Sequence, residues 1–295
     1  MKKFLAAAAI ASSFIFGAAA AESMISVVYE GVRFSESVYP HDGGLFISNF
    51  GSDAMNPRDD ENKGYILYRK NGVNTKIVDG LHKPTGMIVK ENFLFVCDET
   101  VLKVFNLKNL TAAPQVVKFP ADDKVVNALA ADGNTLYISI TNTGRIYSLD
   151  ISKPEKISDA APKLWLEIPG PNGLAIGGGK MYIATIPPDY KTVTDENIIY
   201  RVDNLKKPVA EKFYDVAGLY DGAALSDDLK TLYVSDWATA SVIAINTKTG
   251  RARIIYREPG IGPADIAQAG GRLFIPELVN SRILEVQAGD LRVRN

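Results

Sequence analysis

An asparagine stands at the mouth of an apolar strand in the stretch GPNGLAIGGGKMYIAT, residues 170–185. Asn172 lies nine residues before the strand that begins at Met181. The same spacing precedes LFIS, LFVC, LYIS and LFIP elsewhere, and a spacing of eleven precedes LYVS. The six residues at this position, which we call position zero, are Glu36, Thr85, Asn127, Asn172, Asp221 and Ala264. Two carboxylates and two carboxamides among them are hard oxygen donors, which suit divalent cations.

A repeat of 42 to 49 residues separates successive position-zero residues. This is the period of a four-stranded propeller blade. Each copy shows a short apolar strand, a Gly or Asp turn, and a second strand rich in Tyr, Phe, Ile and Val. Third and fourth β-type runs follow, such as GYILYRK and TKIVDG in the first copy. The sequence predicts an all-β, six-bladed β-propeller with four antiparallel strands per blade, rather than a pair of irregular sandwiches with coincidental spacing.

The sixth copy ends after its third strand, near Val286. The run MISVVYEG, residues 24–31, precedes the first position zero as TKIVDGLH precedes the second. We therefore expect the N-terminal strand to complete the last blade, which closes the ring and removes an exposed edge. One propeller domain is predicted over residues 22–295.

Position zero begins the strand that lines the central channel, so its six residues are expected to meet on one rim. Glu36, Asn127, Asn172 and Asp221 would then form a metal site that suits Ca²⁺ best and also accepts Mg²⁺ or Mn²⁺. Zinc is disfavoured because no His or Cys occupies position zero. The alternative is that Asn or Asp before Gly is an ordinary turn residue.

This pattern resembles the calcium-dependent six-bladed family of gluconolactonase, senescence marker protein and luciferin-regenerating enzyme, and more distantly diisopropylfluorophosphatase. The resemblance covers nearly the whole chain that follows residues 1–21, from Glu36 to Val286. It implies that Glu36 in SESVY, Asn172 in GPNGLAI and Asp221 in YDGAALS hold the metal. It also implies that Asn127 in VVNALA is a substrate contact or a fourth ligand.

The resemblance implies hydrolysis of lactones or related esters, with the metal polarising a carbonyl or phosphoryl oxygen. Asp221 is the predicted catalytic residue, which orients or deprotonates the attacking water or attacks directly. Sugar lactonases of this kind share a basic residue shortly before the third Asn, where this chain has Val125 and Val126. That difference argues against sugar lactones as substrates.

Other polar residues are expected on the same rim. Thr85 and His82 are predicted to contact substrate, although His82 also fits an ordinary loop histidine. Five residues end the second strands and are predicted to support the ligands or to cap turns: Asn49, Asp98, Thr185, Asp236 and Glu277. The long loops 51–64 and 186–198 belong to opposite blades, and we expect them to act as two jaws over the site.

Residues 1–21 combine Lys2 and Lys3 with an apolar run and the small residues Ala19–Ala21, which predicts a cleaved signal peptide rather than a membrane anchor. No other run is long enough to span a bilayer. The mature chain then carries 31 basic and 34 acidic side chains, a net charge of −3, which gives no electrostatic attraction for nucleic acid.

Two further features argue against other chemistry. The single cysteine, Cys97, lies in the apolar run FLFVCD and fits a buried, inert thiol. AIGGGKM lacks the Gly and the Ser or Thr of a nucleotide-binding phosphate loop, because Leu174 and Met181 stand at those positions. The sequence predicts an exported, periplasmic or secreted, calcium-dependent hydrolase of a small lactone-like or ester molecule. The alternative is a non-catalytic NHL-like propeller that binds a periplasmic ligand or a protein partner.

Overall fold

The computed structural model describes residues 25–53, 62–260 and 262–287. These residues form 24 strands and one short 3₁₀ helix, Pro154–Asp159. The strands make six antiparallel sheets of four strands each, and successive sheets pack against one another around a common centre. The predicted six-bladed β-propeller is confirmed. The predicted signal peptide, residues 1–21, lies outside the described residues.

The blades are numbered in the order in which their inner strands occur along the chain. The strands of blades one to three are β2 (Ser35–His41), β3 (Gly44–Asn49), β4 (Gly64–Lys70), β5 (Val73–Leu81), β6 (Pro84–Lys90), β7 (Phe93–Asp98), β8 (Val101–Asn106), β9 (Gln115–Lys118), β10 (Val126–Asp132), β11 (Thr135–Ile140), β12 (Arg145–Asp150) and β13 (Lys163–Glu167). The strands of blades four to six are β14 (Pro171–Gly177), β15 (Lys180–Thr185), β16 (Ile199–Val202), β17 (Ala210–Tyr214), β18 (Tyr220–Leu225), β19 (Thr231–Asp236), β20 (Ser241–Asn246), β21 (Ala252–Arg257), β22 (Ala267–Ala269), β23 (Arg272–Glu277), β24 (Arg282–Gln287) and β1 (Ile25–Tyr29).

The N-terminal strand closes the ring. β1 pairs antiparallel with β24, with Val28 opposite Leu284 and Tyr29 opposite Ile283. The order of this last sheet is β1-β24-β23-β22, so its outermost strand comes from the other end of the described chain. The predicted closure is therefore confirmed.

The second strand of each blade is buried on both faces because it lies between two neighbouring sheets. All six residues of β19 are buried, whereas the first three residues of the outer strand β21 are exposed. This explains why the second strands are continuous apolar runs and the outer strands carry charges. Each large apolar side chain buried between blades stabilises the fold by about 1.5–3 kcal/mol.

Position zero coincides with a β-bulge in the inner strands of blades one to five, and in blade six it lies within the same one-residue shift, between the bridge Pro263–Glu277 and the pair Ala267–Phe274. In blade four the register shifts between Pro171 and Leu174, so that Asn172 and Gly173 both lie opposite the single residue Ala184. The inner strands of blades one, two, three and five have the same shift. A bulge redirects the side chain at its first position. The fold therefore aims each position-zero side chain by a local irregularity that recurs around the ring.

Two glycine features explain the stretch around Asn172. Gly178 and Gly179 have φ angles of 61° and 75°, and they form the tight turn between β14 and β15 at the opposite rim. Gly173 lies against the next blade, where an added Cβ would come within 2.3 Å of the carbonyl oxygen of Asp221. Only glycine allows the two inner strands to approach so closely.

Candidate metal centre

Four buried oxygen atoms without hydrogen-bond partners occupy position zero. They are Glu36 Oε2, Asn127 Oδ1, Asn172 Oδ1 and Asp221 Oδ1. Each of these side chains is at most 7 % exposed. Buried polar atoms are almost always hydrogen-bonded, so four such atoms at equivalent positions of four blades need a common explanation. Two carboxylates and two amide oxygens fit a hard divalent cation.

Electrostatics within the channel also favour a bound cation. Burial raises the pKa of Glu36 well above its usual range, and the charges of Asp221 and Asp265 raise it further. Burial likewise raises the pKa of Asp221 to about 7, with an added contribution from Asp265 and an opposing hydrogen bond from Trp237. A cation in direct contact would remove this penalty by stabilising the ionised forms.

Asp265 is a third carboxylate at the channel that the sequence analysis did not identify. It occupies the second bulge position of blade six, and its amide nitrogen donates to the carbonyl oxygen of Glu36 at 2.9 Å. Ser37 Oγ donates to Asp265 Oδ2 at 2.8 Å. The other five blades have Ser, Gly or Ala at the residue after position zero. A comparison of the six blades would therefore have identified Asp265 as the one charged residue at this position.

The carboxylates do not form a metal cluster by themselves. Across the described ranges, no three His, Cys, Asp or Glu side chains converge as a metal-binding group. The candidate donors are instead two carboxylates and the amides of Asn127 and Asn172. Asp265 therefore lies beside this donor set.

Trp237 fixes one oxygen of Asp221. Its indole Nε1 donates to Asp221 Oδ2 at 2.8 Å, which leaves Oδ1 as the unpartnered atom. Trp237 follows β19 and packs against an apolar cluster of Phe34, Phe50 and Leu278 at the same rim. Asp221 thus presents one defined oxygen to the channel and is bordered by an apolar wall. The repeat spacing does not identify this contact, because Trp237 lies just beyond the end of β19, the strand paired with the one that carries Asp221.

Serine side chains hold the bulges of three blades. Ser48, Ser139 and Ser235 lie opposite the bulges of blades one, three and five, and each Oγ accepts from the amide nitrogen of the second bulge residue. Ser139 Oγ also donates to the carbonyl oxygen of Asn172 at 2.7 Å. Ser235 Oγ donates to the carbonyl oxygen of Ala264 at 2.8 Å. In these two cases the hydroxyl also fixes the position-zero residue of the next blade.

Blade two has no serine opposite its bulge. Cys97 stands opposite its bulge, and burial raises the pKa of its thiol well above the usual range. The hydroxyl of Thr85 donates to the carbonyl oxygen of Asn127 at 2.7 Å. Thr85 therefore replaces the missing serine and fixes the backbone of Asn127. The predicted contact of Thr85 with substrate stays a prediction.

Thr85 makes the hydrogen bond that a serine in place of Cys97 would make, and substitutions at both positions test this assignment. Thr85→Val should lower the free energy of unfolding by about 1–3 kcal/mol, because the carbonyl of Asn127 loses its donor inside the protein. Adding Cys97→Ser should recover at least half of the loss, since the new hydroxyl lies where Ser139 and Ser235 lie in their blades. Urea denaturation of both variants and of Cys97→Ser alone measures this. A double variant no more stable than Thr85→Val would contradict the assignment.

The residues that end the second strands bond mainly to rim loops. Asn49 Oδ1 accepts from the amide nitrogen of Arg33, Asp98 Oδ1 from those of His82 and Lys83, and Asp236 Oδ1 from that of Leu219. These amides precede position zero by two or three residues. The three side chains therefore hold the backbone that leads into Glu36, Thr85 and Asp221.

The last two members of this set hold other loops. Thr185 Oγ1 donates to the carbonyl oxygen of Ile198 at 2.7 Å, which fixes the end of loop 186–198. Glu277 accepts from Tyr256 at 2.8 Å and from Arg282. Both residues are buried and stabilise the rim of their blades.

His82 lies on the rim and is partly exposed, and its predicted contact with substrate stays a prediction. Its side chain is 42 % exposed, and Nδ1 lies 3.8 Å from Glu99 Oε2. The imidazole of His82 is therefore partly open to solvent and lies next to the carboxylate of Glu99.

Loop 186–198 approaches the channel through Tyr190. The ring is 45 % exposed, yet burial and the charges of Asp221 and Glu36 raise the pKa of its hydroxyl. Tyr190 is therefore close enough to Asp221 and Glu36 for their charges to act on its hydroxyl. The first of the two predicted jaws lies partly outside the described residues, at 54–61.

A cleft of about 490 Å³ lies away from this centre, at the opposite rim between blades one and six. It is lined in part by His41, Arg69 and Lys70. Arg69 bonds Asn74 and Lys70 bonds Asp42, so these cations are engaged with neighbours.

Comparison with solved structures supports the fold. A gluconolactonase from Xanthomonas campestris is similar over 92 % of this chain and 93 % of its own, with 16 % identity and a TM-score of 0.65. Virginiamycin B lyase from Staphylococcus aureus covers 91 % and 89 %, with 14 % identity and a TM-score of 0.59. A Bacteroides thetaiotaomicron protein of unknown function covers 90 % and 74 %, with 12 % identity and a TM-score of 0.63. At these identities the likeness shows the six-bladed fold alone.

Sequence comparisons add no family assignment. No protein-family model matches the chain, and no curated protein matches it. Within residues 25–53, 62–260 and 262–287, no helix has the length and apolar character needed to cross a membrane.

Proposed function

We propose that this protein is a divalent-cation-dependent hydrolase of small lactone-like or ester molecules, which acts after export to the periplasm or the outside of the cell. The observation that carries the proposal is the set of unpartnered buried oxygens of Glu36, Asn127, Asn172 and Asp221. The gluconolactonase neighbour supports the reaction class, and the N-terminal sequence supports export.

These four oxygens would hold the cation, and Ca²⁺ suits them best because two charged and two neutral oxygens leave room for water and substrate ligands. A bound cation supplies Lewis-acid polarisation of the substrate carbonyl. The remaining chemistry belongs to Asp221 and the residues around it.

Asp221 positions the attacking water in this proposal. Trp237 holds Oδ2, so Oδ1 has a fixed direction and accepts the hydrogen bond of the water. The water oxygen bonds to the carbonyl carbon, the carbon–oxygen bond to the leaving group breaks, and the water proton passes through Asp221 to the leaving alkoxide. The apolar cluster of Phe34, Phe50 and Leu278 limits the access of bulk water from one side.

Metal analysis followed by an assay panel tests this function. The purified protein should contain a divalent cation, and turnover of lactones or aryl esters should disappear with chelator and return with Ca²⁺. Mass spectrometry of the product should show the addition of one water. Turnover that survives complete removal of cations would contradict the proposal, and a product without the added water would identify a lyase instead.

A bound cation without turnover on any lactone or ester would favour the second candidate, a propeller that binds a ligand without chemistry. The fold is compatible with both, so the assay and not the architecture separates them.

A further inference from the structure

The channel holds one more negative charge than the proposed cation site requires. Glu36 and Asp221 balance one divalent cation, and Asp265 adds a third carboxylate beside them. Its position is set by the backbone bond to Glu36 and by the bond from Ser37 Oγ. Asp265 is also close to Asp221, because a Cβ on the neighbouring Gly222 would lie 2.6 Å from the Asp265 Cα.

Among the described residues, no basic side chain contributes to the electrostatics of these carboxylates. Burial raises the pKa of Asp265 to about 7, and the pKa values of Glu36 and Asp221 are also raised, whereas a close basic group would lower all three. Two basic side chains at the same rim contact Ser52. Arg33 Nε donates to the carbonyl oxygen of Ser52 at 2.9 Å, and Lys83 Nζ lies 3.3 Å from Ser52 Oγ.

Two accessible side chains near the carboxylates are aromatic. Trp237 is partly exposed beside Asp221, and Tyr190 is 45 % exposed. Aromatic faces next to carboxylates favour neutral apolar groups and organic cations over anions.

We infer that Asp265 is a specificity-determining residue, which keeps the site negative when one divalent cation is bound and so selects neutral or cationic ester and lactone substrates over anionic ones. This inference rests on the proposed function for its substrate class. With three carboxylates and one divalent cation, the formal charge of the centre is −1, and an anionic substrate would approach against it.

Three aryl esters of similar shape test the inference: phenyl acetate, 4-carboxyphenyl acetate and 4-(trimethylammonio)phenyl acetate. The wild-type protein loaded with Ca²⁺ should prefer the neutral and cationic esters in kcat/KM. Asp265→Asn should raise the relative kcat/KM for the anionic ester about tenfold at low ionic strength, and added salt should shrink this change. Asp132→Asn is the matched control, because Asp132 is an exposed carboxylate at the opposite end of an inner strand. It should leave the selectivity unchanged.

A binding measurement keeps the inference separate from the proposed hydrolysis. If no ester turns over, calorimetry of the Ca²⁺-loaded protein with benzoate, benzamide and phenyltrimethylammonium still reports the charge preference. Asp265→Ser, which carries the residue found at the equivalent position of blade one, replaces the first variant if Asp265→Asn does not fold. Equal preference for the anionic ligand before and after substitution would overturn the inference. Absence of cation binding in the wild-type protein would overturn the proposed function.

Discussion

Asp221→Asn should lower hydrolytic turnover by roughly 10³-fold or more, even in the presence of excess Ca²⁺. Asparagine has the shape of aspartate, but one of its two terminal atoms is an NH₂ group that only donates hydrogen bonds. If that group faces Trp237 Nε1, two donors oppose each other at a distance now bridged by a 2.8 Å hydrogen bond. If it faces the channel, a donor replaces the oxygen that the cation and the water need. Either orientation removes the function of Asp221.

The measurement is steady-state kinetics on the best ester of the panel, together with calorimetric titration of Ca²⁺. Trp237→Phe keeps the carboxylate and removes only its hydrogen-bond donor, so we expect a smaller loss of about tenfold. Asp203→Asn is the control, since Asp203 is a surface carboxylate that pairs with Lys180 and Arg201. If the Asp221→Asn protein retained near wild-type turnover, Asp221 would have no catalytic role and the mechanism would be wrong.

The repeat in the sequence predicted the fold because each blade encodes its own turn and its own buried strand. The position nine residues before the second strand, or eleven in blade five, is also the bulge of the inner strand, so one recurring position identified Glu36, Asn127, Asn172 and Asp221 together. The closing strand was predictable for the same reason, because an incomplete sixth repeat requires a partner from elsewhere in the chain.

The same spacing missed two residues that contact the predicted ligands. Asp265 stands one residue after position zero, and it lies close to Glu36 and Gly222 in two other blades. Trp237 reaches Asp221 within blade five, from the position directly after β19. A one-dimensional repeat describes equivalent positions in different blades, whereas these contacts join non-equivalent positions.

Thr85 shows what the sequence pattern leaves out. Its predicted contact with substrate stays a prediction, and the structure adds that its hydroxyl donates to the backbone of Asn127 in the neighbouring blade. Only comparison with Ser139 and Ser235 shows that this bond replaces one that Cys97 does not supply. Residue type and spacing therefore predicted the rim, whereas these backbone contacts between blades required the structure.

Without divalent cations, the protein should be less stable at pH 8 than at pH 5. Asp221 and Asp265 have pKa values raised from 3.8 to about 7 in the folded protein, mainly by burial. Between about pH 4 and pH 7 the folded state therefore binds more protons than the unfolded chain, and the free energy of unfolding falls as the pH rises. We expect the melting temperature in EDTA to drop by about 5–10 °C from pH 5 to pH 8.

Calcium should reverse this loss. A cation that binds only the folded state stabilises it, and it also offsets the repulsion among Glu36, Asp221 and Asp265 once they are ionised. Excess Ca²⁺ should therefore raise the melting temperature more at pH 8 than at pH 5, as scanning calorimetry at both values would show. The double variant Asp221→Asn, Asp265→Asn supplies the background, since it lacks two of the three carboxyl groups and should show little of the pH dependence. A cation-free melting temperature that stayed level or rose from pH 5 to pH 8 would mean that these carboxylates are not forced together in the folded protein, and the electrostatic case for a cation at this rim would fail with it.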